Sequence, residues 1–120
     1  MKRLVIIIPV FNEEKTIIET LKKLSLLSPE LISIGYELCI HAINDGSTDA
    51  TGKLLQTYKN ILIINHKKNK GLGATIRSGL LSAHKVNADI VVKYDADLQH
   101  EPQDILNLIK PIYNDESDIV

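Results

Sequence analysis

Residues Ile90 to His100, IVVKYDADLQH, begin as an apolar run and end in two carboxylates, an amide and an imidazole. β-Branched residues that run into acidic ones read as a buried strand delivering charge to its C-terminal end. In an extended chain, alternation puts Asp95, Asp97 and Gln99 on one side, with Ala96 and Leu98 on the other. Oxygen donors converging in this way suit Mg²⁺ or Mn²⁺. A lone DxD is an acidic turn in most chains. Its place directly after an apolar strand, with Gln99 on the same side, points here to a metal-diphosphate site.

The rest of the chain supplies three more strands of the same kind. Leu4 to Ile8 is a continuous aliphatic run closed by Pro9, which suits a strand buried on both faces. Asn12 then reads as an N-cap with Glu13 and Glu14 in the first turn, and Ile17, Ile18, Leu21, Leu24 and Leu27 recur at helical spacing until Ser28-Pro29. Tyr36 to Ile43 reads as the second strand, and Asn44 to Asp49 as a turn and cap before a helix near Ala50 to Tyr58. Ile61 to Ile64 is a short third strand. A helix from about Ala74 to Lys85 follows, with Ile76, Leu80, Leu81 and Ala83 inward. Ala88 to Tyr94 is the fourth strand, and Pro102 opens a helix to about Tyr113 with Ile105, Leu108, Ile109 and Ile112 apolar.

Strand and helix alternate four times, which predicts a Rossmann-like three-layer αβα sandwich around a mainly parallel sheet. Ligands of such sheets bind beyond the carboxyl ends of the strands. The segments expected at that edge are Pro9 to Glu13, Asn44 to Ser47, Lys67 to Gly73, and Asp95 to Asp97. Asp118-Ile119-Val120 resembles the start of a further strand, too short to pair, so the sequence reads as one domain cut short of a longer protein.

Bulk composition narrows the function. The 120 residues are 44% hydrophobic and 24% charged with net charge −1. There is no basic excess and only 4% aromatic content, which argues against a nucleic-acid partner. The single Cys39 reads as a core residue in a reducing compartment. No signal peptide or membrane-length apolar segment is visible, so a cytoplasmic chain is expected. His41 reads as a satisfied core or edge histidine, His66 and His84 as surface residues, and His100 as a phosphate donor or metal neighbour. His66 to Gly79, HKKNKGLGATIRSG, contains GxG before a helix but has Ile76 at the third glycine position of a dinucleotide fingerprint. It reads either as a solvated basic loop or as one whose Lys70 and backbone N–H groups approach a diphosphate.

Four stretches together resemble the family 2 glycosyltransferases of GT-A fold: IIIPVFNEE (Ile6 to Glu14), NDGSTDAT (Asn44 to Thr51), NKGLGATIRSG (Asn69 to Gly79) and DADLQH (Asp95 to His100). The last is most similar to the dolichyl- or polyprenyl-phosphate sugar synthases. The resemblance implies a nucleotide-diphospho-sugar donor, UDP- or GDP-linked, and an inverting transfer to a lipid-phosphate or glycan acceptor. It implies donor contacts from Pro9, Phe11, Glu13, Asn44, Asp45, Lys70, Gly71 and Asp95, a Mg²⁺ or Mn²⁺ ion on Asp95, Asp97 and Gln99, and Asp97 as the catalytic residue through that ion. Phe11 stands where Tyr is usual and Asn44 where Asp is frequent, which leaves the nucleobase preference open. As the N-terminal, nucleotide-sugar-binding part, residues 1–120 would bind donor and transfer little. The resemblance also allows a homodimer and peripheral association with the cytoplasmic membrane face through a further C-terminal part. A nucleotidyltransferase usually opens with a glycine-rich loop after its first strand, and a phospho-receiver module needs an acidic pair there. Pro9-Val10-Phe11 offers neither.

Overall fold

The computed structural model describes residues 1–97 and 101–113. Its elements run β1 (Lys2–Val10), α1 (Ile17–Ser25), α2 (Ser28–Ser33), β2 (Tyr36–Asp45), α3 (Thr51–Thr57), β3 (Ile61–His66), α4 (Leu72–Lys85), β4 (Ile90–Lys93) and α5 (Gln103–Tyr113). All four strands are parallel, in the order β3-β2-β1-β4. The expected α/β class and the expected carboxyl edge are both present.

β1 is continuous in apolar residues because it is central and covered twice. Leu4, Ile6 and Ile8 point into the larger core with Ile17, Leu21 and Leu24 of α1, Leu55 of α3 and Leu106 of α5. Val5 and Ile7 point the other way, to Ile43 and to Ala83 of α4. Those two faces make the three layers. Tyr94 donates its N–H to the Ile7 carbonyl at 3.0 Å, so Ile7, and Pro9 two residues on, face β4 in the plane of the sheet. Proline has no N–H for the next rung. The β1–β4 ladder accordingly ends at the Ile7–Lys93 pair, and the chain leaves the sheet before Asp95.

Several expected details are corrected. Ile76, Leu80 and Leu81 do not form the inner face of α4; Thr75, Gly79, Ser82 and Ala83 do. A Cβ on Gly79 would lie 3.0 Å from Ile7, so this helix approaches the sheet too closely for leucine. α5 likewise buries Leu106 and leaves Leu108 exposed. Ser28-Pro29 opens α2, with proline in its first turn, whereas α1 has already ended at Ser25. Asn12 is not a helix cap: it adopts a left-handed φ of 51°, and α1 starts at Ile17. Cys39 is only half-buried. Gln99, His100 and Asp118 to Val120 lie outside the described residues.

Candidate active site

A pocket of about 280 Å³ opens at the carboxyl edge of the sheet. Pro9, Phe11 and Glu13 contribute its β1 side, and Asp45 contributes the end of β2. Gly71, with Asn69, Leu72 and Thr75, forms the wall between β3 and α4. Asp95 and Asp97 close it on the β4 side. β4 ends at Lys93, and Asp97 reaches the pocket from a turn it shares with Ala96, not from an extended continuation of the strand. Asn44 and Lys70, also expected here, do not line the pocket.

Asp45 organises one wall. It is 4% exposed, because β2 runs two residues past Ile43, where a turn was expected. Its Oδ1 accepts from the Lys70 N–H at 2.9 Å and lies 2.8 Å from His66 Nδ1, while Oδ2 accepts from the Gly71 N–H at 2.9 Å. His66 Nε2 in turn meets Ser78 Oγ at 2.8 Å. Burial pushes the Asp45 carboxyl up, but the donors from His66, Lys70 and Gly71 outweigh it and hold the group below its ordinary value. His66 is therefore no surface residue. It stands opposite Asp45 in the β2–β3 register, a juxtaposition that a one-dimensional reading of three lysines and a histidine could not supply. The Lys70 and Gly71 N–H groups, which one of the two readings of this loop turns toward a diphosphate, are taken by Asp45. The N–H groups of Leu72, Gly73 and Ala74 follow, and they have no partner within α4, whose first bond runs from Thr75 to Gly71.

The β1–α1 and β2–α3 connections are laced together. Asn12 N–H donates to Ser47 Oγ at 3.0 Å, and Asn12 Oδ1 accepts from the Thr48 N–H at 2.8 Å. Glu13 N–H donates to the buried Thr51 Oγ1 at 2.9 Å. Asn44 is buried and committed inside this lattice: its amide donates to Asn65 and its oxygen accepts from the Ser47 N–H. Burial, with Asp97 and Asp49 nearby, pushes the Glu13 carboxyl up despite a hydrogen bond from Thr16. Negative charge is thus concentrated where a cation would relieve it. Among the described residues no group of three or more His, Cys, Asp or Glu is placed to hold a metal ion. Lys93 Nζ lies 3.4 Å from Asp95 Oδ1.

Thr16 fixes the segment that carries the two carboxylates. Its hydroxyl donates to the carbonyl of Ala96 at 2.6 Å, and Ala96, between Asp95 and Asp97, is 2% exposed. Thr16→Val keeps the shape and removes the donor, leaving a buried carbonyl short of a partner. The expected cost is about 1–2 kcal/mol in urea unfolding, recovered in Thr16→Ser. Equal midpoints for Val and Ser would show that this bond does not hold the segment.

Comparison with known proteins gives a family, two relatives and a solved structure. The model of the family described as "Glycosyl transferase family 2" matches residues 5–120. A UDP-N-acetylglucosamine--dolichyl-phosphate N-acetylglucosaminyltransferase of Methanococcus voltae is 33% identical, over 99% of this chain and 51% of its own length. An undecaprenyl-phosphate 4-deoxy-4-formamido-L-arabinose transferase of Photorhabdus laumondii is 30% identical, over 92% of this chain and 34% of its own. The chain thus spans about half, or less, of the length of these relatives. Among solved structures, S. aureus TarS 1-349 in complex with UDP superposes with a TM-score of 0.71 at 25% identity, covering 91% of this chain and 32% of that one. No helix among the described residues is long and apolar enough to cross a membrane.

Proposed function

We propose a function from one premise: the chain belongs to glycosyl transferase family 2. Its layered parallel sheet is of the GT-A type. The pocket at the strand ends takes the nucleoside diphosphate of a UDP-sugar, and the whole protein transfers the sugar to a polyprenyl-phosphate acceptor. The observation that carries this reading is the convergence of Asp95 and Asp97 with the Pro9–Glu13 and Asn69–Thr75 segments around one pocket. UDP in the complex of the structural neighbour, and the dolichyl- and undecaprenyl-phosphate in the relatives' names, support the choice of donor and acceptor.

The residues divide the work. Phe11, 43% exposed, offers an apolar face to the nucleoside, and Pro9 fixes the backbone beside it. The unbonded N–H groups at the start of α4, with the positive end of its helix dipole, favour the diphosphate. Lys70 is exposed at the rim of the same loop. Asp95 and Asp97 are hard oxygen donors, and together with the charge near Glu13 they fit a divalent cation. Mg²⁺ or Mn²⁺ held there would neutralise the charge growing on the departing diphosphate. In the transfer a phosphate oxygen of the acceptor bonds to the anomeric carbon from the opposite face, and the bond from that carbon to the UDP oxygen breaks. A phosphate monoester has a second pKa of roughly 6, so the acceptor is already largely ionised and needs no general base.

Calorimetry with UDP and GDP, with and without Mn²⁺, tests the donor side. UDP is expected to bind, more tightly with Mn²⁺, and Asp97→Asn to remove at least about tenfold of that metal-dependent gain. Binding that is indifferent to both metal and Asp97 would overturn the assignment.

A further inference from the structure

Charge is divided unevenly along this chain. Residues 50–88 contain seven Lys or Arg and no Asp or Glu, whereas the remainder contains seven basic and all fifteen acidic residues. A net charge of −1 therefore conceals a +7 segment set against a −8 remainder. Five of the seven cations, Lys67, Lys68, Lys70, Arg77 and Lys85, lie on α4 or the loop before it, and all five are exposed. The ion pairs among the described residues use none of them.

Leucine is interleaved with these cations. Because the small residues of α4 face the sheet, Leu80 and Leu81 point outward and are 48% and 56% exposed. Leu62, on the edge strand β3, is 44% exposed. A groove of about 390 Å³ joins the two elements, with Leu62, Ile64, Leu81 and Lys85 among its lining.

We propose that this β3–α4 face docks the protein on an anionic lipid surface. The leucines enter the headgroup boundary while the surrounding Lys and Arg meet lipid phosphates. Exposed leucine alone is ordinary, as at Leu26, 78% exposed; here it lies among cations that no ion pair of the described residues uses. A nucleic-acid groove would call for aromatic stacking, and residues 50–88 contain only Tyr58. The contact is shallow, since the inner side of α4 already belongs to the core. It rests on charge and exposure, independently of the donor site. Its link to catalysis does rest on the proposed lipid-phosphate acceptor: the first turn of α4 lines the pocket, so docking brings the pocket to the membrane surface.

Sedimentation with phosphatidylcholine vesicles, with and without phosphatidylglycerol, tests the proposal. Binding is expected only with the anionic lipid and should weaken as salt rises. Arg77→Gln with Lys85→Gln should lower partitioning about twenty-five-fold, at roughly fivefold per charge. Leu80→Ser with Leu81→Ser should lower it on the order of tenfold. Both double variants should keep the parent circular dichroism and UDP affinity. The proposal is overturned if the parent chain ignores anionic vesicles, if folded variants bind them undiminished, or if duplex DNA retains the chain more tightly than vesicles do. Failure of UDP to bind would instead count against the donor site and leave this face standing.

Discussion

Asp45→Ala is expected to lower the free energy of unfolding by about 3–5 kcal/mol and to abolish measurable UDP binding. The carboxylate is buried and gathers donors from two successive backbone N–H groups and an imidazole. Without it, those groups have no other acceptor in the wall they form, and the loop that lines the pocket is no longer tied to β2. Asp45→Asn keeps one acceptor oxygen but meets at least one of the donors with an NH₂ group, so it should fall between the two. Urea unfolding monitored by circular dichroism reads the first effect and calorimetry the second. A loss below about 1 kcal/mol in Asp45→Ala would show that the loop is held by other contacts. The pH dependence has a definite sign. The folded-state pKa of Asp45 lies below its unfolded value, so its contribution is complete above the ordinary carboxylate range and is lost as pH falls through the folded value. In Asp45→Asn this part of the acid sensitivity should disappear.

Gly46→Ala should be comparably severe for a different reason. Gly46 sits at φ +73°, and a Cβ there would come within 2.5 Å of the Asn69 nitrogen and the Lys68 carbonyl carbon. Those are backbone atoms of the loop crossing over it, and no rotamer change can move them away. A left-handed conformation alone costs a non-glycine residue roughly 1–2 kcal/mol. Gly35 separates the two contributions, since it has φ +92° with nothing within 4 Å of the added atom. Gly35→Ala is therefore expected to lose about 1–2 kcal/mol. Gly46→Ala should lose on the order of 3 kcal/mol or more, together with UDP binding. Equal losses in the two variants would mean that the loop moves aside without cost.

The uneven success of the sequence reading has physical causes. The aliphatic runs at Leu4, Ile40 and Ile90 were legible as strands because both faces of a parallel sheet are buried there, so its strands need no polar alternation; the run at Ile61 was legible from its β-branched residues although this edge strand leaves Leu62 exposed. The carboxyl edge followed from their order. The inner face of α4 was not legible from hydrophobicity, because the helix packs so closely on Ile7 that size, not polarity, selected Gly79, Ser82 and Ala83. Asn12 looked like a cap because asparagine suits both a cap and a left-handed bend, and only the cross-loop partner Thr48 distinguishes them. His66 was missed because its role depends on strand register: it was a histidine beside lysines until β3 placed it next to a buried aspartate.

The central position of β1 also sets an order of events during synthesis. This strand, flanked in the finished sheet by β2 and β4, emerges before both, and its Ile7 edge waits for β4, about eighty residues later. At ~5–20 residues per second that wait lasts roughly 4 to 16 seconds. During it a strand buried along nearly its whole length presents an unpaired edge, the form of backbone most prone to pair with a neighbouring nascent chain. Chaperone protection at the ribosome would therefore matter most after β2 has docked and before β4 arrives.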